Sequence, residues 1–590
     1  MAATGENQIP LIRQLKIERF RGIENFTWNP EPGVNVILGG GDVGKTTILD
    51  SIALLLSPTN TTILSDADYW HREVEKGFCI EAVMALPDTC GISQQTKNAW
   101  PWEWDGNEPK LPKINGSPGS SSAAEPVYRL RVRGTEEFDV SFEILQPDDT
   151  ADHFSVAVRR KIGVVRLGGD DRNDRDLRLV QGSALERLLS DKTLRSRVGQ
   201  KLAKEGDVNK ELKDDAKKKL TKLDESFKDH KLPDGLSLGL TGGQGLSLNA
   251  LIGLTAAKDG VNLPLASWGA GTRRLAALEI AAADQADNPI TLVDEVERGL
   301  EPYRQRVLMA ELQKSGSQVF LTTHSTAALQ SASGASFWYL DVQGSIGRLP
   351  GSINSHLKKD PEAFLARIAI VAEGKTEVGF IAYLLERAIS SDFLSSGIWI
   401  TDGDGNDNTL QLLEGLTKGG LHFAGFADNE GSAPDKWAAV QERLGNLLFR
   451  WAVGCLEENI IKLVPTDRLE EFIKDPDGNS GDRLRTLAIR LGIDEKEFSA
   501  IKTKAPDLQK LIIEAATGVI PEEKKSVDKE KKKELKKHVQ HWFKSVEGGR
   551  ELATKVFNFG LWPQLETQLL PFLNAVRDAV SLPKITTLST

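Results

Sequence analysis

The sequence predicts an α/β protein in two successive parts, and three observations carry that prediction. Residues 34–38, "VNVIL", form an apolar, β-rich run that feeds a glycine-rich turn and then an apolar-periodic stretch. From Ile368 onward, short β-rich runs alternate with amphipathic stretches, the pattern of a parallel sheet with crossover helices. Between them, residues 170–230 turn polar and helix-patterned. A chain of 590 residues exceeds what one core organises, so three or four compact units are expected.

Composition narrows the function classes. No run of ~18–20 apolar residues is present, and the start "MAATGENQIP" lacks a basic-plus-apolar leader pattern, so the expected location is the cytoplasm, with no membrane partner. Three cysteines, Cys79, Cys90 and Cys455, are too few for a disulfide framework or a four-thiolate zinc site. A net charge of −10 argues against a general nucleic-acid coat but leaves room for a locally basic groove.

After the first strand, Gly39 to Thr46 match G-x-x-x-x-G-K-[ST]. Glycines such as Gly39 and Gly44 let backbone N–H groups curl around a polyphosphate, Lys45 reaches the terminal phosphates, and Thr46 gives a hydroxyl to magnesium, with Thr47 beside it. The following helix points its positive end at the same anion. Downstream, "NPITLVDEVERGLEP" is a strand ending in Asp294-Glu295, where Asp294 suits the magnesium shell and Glu295 the polarisation of water. "SQVFLTTHS" is another strand, with His324 near its end, and "SWGAGTRRLAALEIAAA" places Ser267 and Gly269 at the opening of a helix. Asp42 beside a polyphosphate is electrostatically unfavourable, which predicts slow hydrolysis.

The segment between these motifs reads as insertions. Residues 100–126 are rich in Pro, Gly and Ser and read as a surface loop. "DVNKELKDDAKKKLTKLDESFKDHK" contains no glycine or proline and predicts one helix. Leu185, Leu188 and Leu189 mark an apolar helix face that packs within the monomer or across a dimer, and a dimerisation insert is favoured.

In the second α/β part, strands "IAIVA", "GIWI" (397–400), "HFAGFA" (422–427) and "LLFRWAVG" are separated by helices at 378–390, 408–418 and 434–444. Ligand sites of parallel sheets lie off the carboxyl ends of the strands. Three acidic clusters fall there: Glu373/Glu377, Asp428-Asn429-Glu430 and Glu457-Glu458. Converging carboxylates repel unless cations neutralise them, and oxygen ligands suit Mg²⁺ or Mn²⁺. Two ions about 4 Å apart would clamp the attacking and leaving oxygens of a phosphodiester. "DGDGNDN" (402–408) lacks the offsets of a calcium loop, so it reads as a strand-to-helix loop with Asp402 and Asp404 outside the ligand set.

The first part resembles the ABC-type ATPase head of the structural-maintenance and RecF-like DNA-repair families. The resemblance implies that Ser267 and Gly269 close on the nucleotide of a partner subunit and that His324 senses the γ-phosphate. The second part resembles a TOPRIM domain, with Glu430 where the usual pattern has aspartate. Nearly the whole chain, including the insert, is similar to the OLD (overcoming lysogenisation defect) nucleases, through "GGGDVGKTT", "EGKTEVGF" and "ADNEG" the helicase-associated, Gabija-like branch. That resemblance implies ATP-regulated DNA cleavage in phage defence or DNA repair, with ATP and Mg²⁺ in the head. It implies two divalent cations, Mg²⁺ or Mn²⁺ with Ca²⁺ standing in within a crystal, in the TOPRIM part. The implied catalytic and metal set is Glu373, Glu377, Asp428, Glu430, Glu457 (favoured over Glu458 by the Leu456-Glu457 step) and a C-terminal lysine, Lys544 or Lys555. Implied partners are DNA, a second copy of the chain and a UvrD-like helicase. The expected domains are 1–170 and 246–355 for the head, 171–245 for the helical insert, and 366–590 for TOPRIM with helical C-terminal elements.

A non-cleaving RecF- or SMC-like repair ATPase is the alternative, disfavoured by the intact acidic set. A topoisomerase needs a tyrosine outside the sheet, and Tyr69, Tyr128, Tyr303, Tyr339 and Tyr383 do not supply it; a primase's zinc module lacks cysteines. In "EEKKSVDKEKKKELKKH" (522–538), Lys531–Lys533, Lys536 and Lys537 form either a solvated helix face or a sequence-blind phosphate contact.

Overall fold

The computed structural model describes residues 9–60, 64–94, 99–112, 124–167, 177–179, 183–189, 197, 208–240, 252–284, 289–341, 344–389, 392–418, 423–520, 535 and 538–588. The basic tract's Lys531–Lys533, Lys536 and Lys537 lie outside these residues. The chain forms two compact units, Met1–Arg348 and Leu349–Thr590. The second starts before residue 366 because Ile353, Leu357 and Phe364 are already buried in a helical lead-in to the first strand.

The centre of the first unit is a six-stranded sheet. Its order is Val164–Leu167, Ile290–Val293, Val319–Thr322, Val34–Leu38, Ser336–Leu340, Ile346–Arg348, parallel except for the last pair. Val34–Leu38 is buried at every residue, as a parallel strand covered on both faces should be. The Lys45–Leu55 helix follows and buries Ile48, Leu49, Ile52 and Leu55, one face at helical spacing. An antiparallel sheet of eight strands, opening with the hairpin Leu11–Phe20 and Ile23–Trp28, packs with it: Trp28 meets Phe320 and Trp338 edge-on, each at 5.4 Å.

Two expectations about the insertions are corrected. Trp102–Trp104 is a strand paired with Glu125–Gly134, not loop, because Trp102 is buried; residues 113–123 lie outside the described set. The continuous helix breaks into a 3₁₀ turn, Val208–Glu211, and a helix, Asp214–Asp229, with Lys213 extended between them. Leu185, Leu188 and Leu189 are buried with Leu220, Leu223, Phe227 and Ile280 in one cluster of the same chain. That apolar stripe is covered within the chain.

The second unit is built on a four-stranded parallel sheet in the order Ile398–Asp402, Ile368–Ala372, Phe423–Ala427, Leu448–Arg450. Its first strand in sequence lies between the second and third. Successive crossovers therefore leave it in opposite directions, which opens a crevice at its carboxyl end. The helices Lys375–Ala388, Asn406–Lys418 and Pro434–Leu444 make the crossovers. C-terminal helices complete the core; Val546–Asn558 packs on Lys375–Ala388. Their approach is backbone to backbone: a Cβ on Gly379 would lie 1.9 Å from Val546 O, and one on Gly549 would lie 2.0 Å from Thr376 O.

Candidate functional site

In the first unit the glycines shape the turn after the central strand. Gly39 has φ 151°, and a Cβ there would sit 2.4 Å from Leu340 O. Gly44, at φ 99°, precedes the helix. The Lys45 ammonium donates to Gly39 O at 2.9 Å and to Gly40 O, and burial pushes its pKa down. A phosphate would replace these carbonyls with charged acceptors and relieve that penalty.

Thr46 Oγ1 donates to Asp294 Oδ1 at 3.3 Å, and Thr322 Oγ1 donates to the same oxygen at 2.7 Å. The hydroxyl and the carboxylate expected to share a magnesium shell thus already meet. Glu295 holds φ 50°, with its N–H donating to Thr322 Oγ1 at 2.8 Å. Gly44, Lys45, Thr46, Thr47, Asp294, Glu295 and His324 all line one cavity of ≈ 700 Å³. Glu297, which no sequence motif singles out, accepts from His324 N and from Thr323 Oγ1, each at 2.7 Å, and so fixes the loop that carries the histidine.

Ser267 and Gly269 are exposed and do not line this cavity. The helix opens at Ala270 rather than Ser267, which lies in a 3₁₀ turn with its hydroxyl donating to Pro264 O at 2.7 Å. Buried Arg274 ties that helix to the strand end by donating to Arg298 O at 2.8 Å and to Asp294 O.

In the second unit the acidic residues come together at the sheet's carboxyl edge. Glu373 follows the first strand, Asp428 the third, and Glu377 and Glu457 lie in first turns of the helices Lys375–Ala388 and Leu456–Ile461. Glu373, Glu377, Asp428 and Glu430 line a cavity of ≈ 1080 Å³ together with Cys455 and Lys544. Glu430 is exposed, whereas Glu373, Glu377, Asp428 and Glu457 are buried.

Hydrogen bonds hold this geometry. Glu373 Oε2 accepts from Asn406 Nδ2 and from Asp428 N, both at 2.8 Å. Asp428 Oδ1 accepts from Leu456 N at 3.0 Å, which sets Glu457 beside it. Asn406, inside the loop-like "DGDGNDN", opens the second crossover helix and bridges Glu373 to Asp428 O at 3.2 Å. Asp404 is exposed and 3.7 Å from Lys359.

Electrostatics set the cluster apart from ordinary surface acids. Burial, then the charge of Glu457, pushes Glu377 up to about 8; burial, then Glu377 and Glu373, pushes Asp428 up to about 9. Burial also raises Glu373. Lys544 Nζ lies 2.7 Å from Glu457 Oε1; burial would lower its pKa, but the Glu457 charge and hydrogen bond outweigh that and raise it. Glu457 Oε2, fully buried, has no hydrogen-bond partner among the described residues. A divalent cation would answer this excess of negative oxygens.

The lysine alternatives separate on contacts. Thr376 Oγ1 donates to Phe543 O at 2.9 Å and so draws Lys544 to the acidic cavity. Lys555 donates to Lys474 O at 2.6 Å and pairs with Glu551 at 3.3 Å, and it does not line the cavity.

A family model described as "AAA domain, putative AbiEii toxin, Type IV TA system" matches residues 34–330. Similar solved structures include an Smc head bound to the C-terminal winged-helix domain of ScpA: 15% identity, 58% of this chain and 98% of that one, TM-score 0.36. An Smc head with an extended coiled coil bound to the C-terminal domain of ScpA, from Pyrococcus furiosus, gives 13%, 60% and 100%, and 0.36. The recombination mediator RecF with ATP gives 13%, 59% and 100%, and 0.37. No curated protein matches the chain.

Proposed function

We propose, from the premise that this chain belongs to the AbiEii-type AAA-domain family, that it is a nucleotide-regulated, divalent-metal-dependent DNA endonuclease or nickase. Membership supplies the ATP-binding head; the cleavage reading rests on the second unit. The observation that carries it is the convergence of Glu373, Glu377, Asp428 and Glu457 with Lys544 at one sheet edge, with carboxylates whose ionisation the fold penalises.

In the head, Lys45 and the backbone of Gly39–Gly44 would hold the phosphates, and Thr46 and Asp294 the accompanying Mg²⁺. Glu295 would orient water, His324 would sense the γ-phosphate, and Ser267 with Gly269 would close on the nucleotide of a second copy. In the second unit, Glu373, Glu377, Asp428, Glu430 and Glu457 would hold Mg²⁺ or Mn²⁺. Such cations supply charge to the attacking and leaving oxygens of a phosphodiester. Lys544 would leave Glu457 for the scissile phosphate once cations neutralise the carboxylates. The resemblance to TOPRIM and OLD-type nucleases supports this reading, as does its implication of a role in phage defence or repair. A UvrD-like helicase partner rests on that resemblance alone.

Supercoiled plasmid incubated with Mg²⁺, Mn²⁺ or EDTA, with and without ATP, tests the proposal. Nicking that needs the metal and disappears in Glu373→Ala is expected. Nicking undiminished in that variant would falsify the site assignment, and an intact plasmid under every metal would favour a DNA-binding repair ATPase.

A further inference from the structure

Beside the oxygen ligands stands one sulfur. Cys455, half-buried and lining the acidic cavity, directly precedes the helix that carries Glu457. Its Sγ, one carboxylate oxygen of Asp428 and one of Glu457 all lie within 4.8 Å of one another. Backbone geometry fixes the three: the Asn429–Gly454 bridge, with N–H···O distances of 2.9 and 3.1 Å, closes the loop, and Leu456 N holds Asp428 Oδ1. Lys544 reaches only Oε1 of the fully buried Glu457, and Oε2 has no hydrogen-bond partner among the described residues, so that oxygen is open to a further ligand.

We propose that Cys455, Asp428 and Glu457 form a binding site for a thiophilic divalent cation of the zinc and cadmium class, which competes with Mg²⁺ or Mn²⁺ at this cavity. This deepens the metal reading above and rests on it. Magnesium and manganese prefer carboxylate and water oxygens, whereas a thiolate favours softer ions. Two carboxylates and one sulfur give three protein ligands, the number that leaves a tetrahedral ion one open position. On binding, a metal–sulfur bond forms and the thiol proton passes to the buffer. The functional consequence is selectivity: trace zinc occupies the site and excludes the hard cations that the oxygen ligands serve.

The test reads the bond directly. Co²⁺ is titrated into the full-length protein under reducing conditions, and the near-ultraviolet sulfur-to-cobalt charge-transfer band is recorded for wild type and Cys455→Ser. Cd²⁺ and Mn²⁺ affinities are measured calorimetrically on the same samples, with thermal melts to confirm folding. The band is expected in wild type and absent in the variant. Cd²⁺ affinity should fall roughly 10–100-fold, the scale seen when a metal site loses a supporting group, and Mn²⁺ affinity by much less. Mn²⁺ binding without any cobalt–sulfur band in wild type overturns the inference while leaving the metal reading intact. A band that persists in Cys455→Ser assigns it to Cys79 or Cys90 in the first unit and also overturns the inference. Failure of every divalent ion to bind wild type removes both.

Discussion

Glu377 and Asp428 are held where burial and neighbouring acids penalise ionisation, up to about 8 and about 9. The folded chain therefore binds these protons more tightly than the unfolded chain does. Proton binding stabilises the fold at low pH, and that contribution is lost as pH rises from the ordinary carboxylate range through those raised values. The melting temperature of metal-free protein should fall across that window, and Mn²⁺ should raise it most at the upper end. A pH-independent melt unmoved by Mn²⁺ contradicts the shared-cation account. The two lysines allow a second check. Lys555→Ala removes contacts to Lys474 O and Glu551, and should cost about 1–3 kcal/mol in urea unfolding while sparing Mn²⁺ affinity. Lys544→Ala leaves buried Glu457 without its cation, so nicking should vanish and the metal-free protein should lose stability, with Lys544→Arg recovering stability better than activity.

The Lys375–Ala388 and Val546–Asn558 helices, which bring Lys544 to the cavity, approach backbone to backbone at Gly379 and Gly549. Gly549→Val would force a branched Cβ into Thr376 O, where even the bare Cβ would sit at 2.0 Å, so the Val546–Asn558 helix must shift. Overpacking of this kind costs typically 1–3 kcal/mol, and more where backbone is the obstacle; the expected result is lower stability together with weakened Mn²⁺ binding, read by melting and calorimetry. Nothing in the sequence pairs Gly549 with Gly379, because close approach is a property of two helices distant in the chain. By contrast, the phosphate turn was legible: Gly39, Gly44 and Lys45 act within one short segment whose spacing is itself the mechanism. Glu373 and Asp428 were legible as strand ends, since alternation of strand and helix fixes which edge they share. Asn406 was hidden inside a run of loop-like residues, and Glu297 inside a turn, because each works through a hydrogen bond to a residue on another strand. The leucines of the insert were legible as a buried stripe, but not their partners, since amphipathicity specifies that a face is covered and not by what.

At the scale of the chain, among the described residues, each unit carries a candidate site built from its own residues. Binding at the two should therefore separate by mutation. Lys45→Ala should abolish ATP binding and leave Mn²⁺ affinity of the acidic cluster unchanged, while Glu373→Ala should do the reverse. Regulation is a different quantity from binding, since coupling exists only where a ligand has different affinities for two states of the molecule. If ATP acts by closing two heads on each other, the exposed Ser267–Gly269 segment is the surface that must meet the partner's nucleotide. Ser267→Arg should then leave ATP binding by the monomer intact, abolish ATP-dependent self-association in sedimentation, and remove the effect of ATP on nicking. Self-association and ATP response both surviving that substitution would place the regulatory contact elsewhere on the head, because an arginine at the centre of a closed nucleotide interface adds bulk that a tight contact cannot absorb.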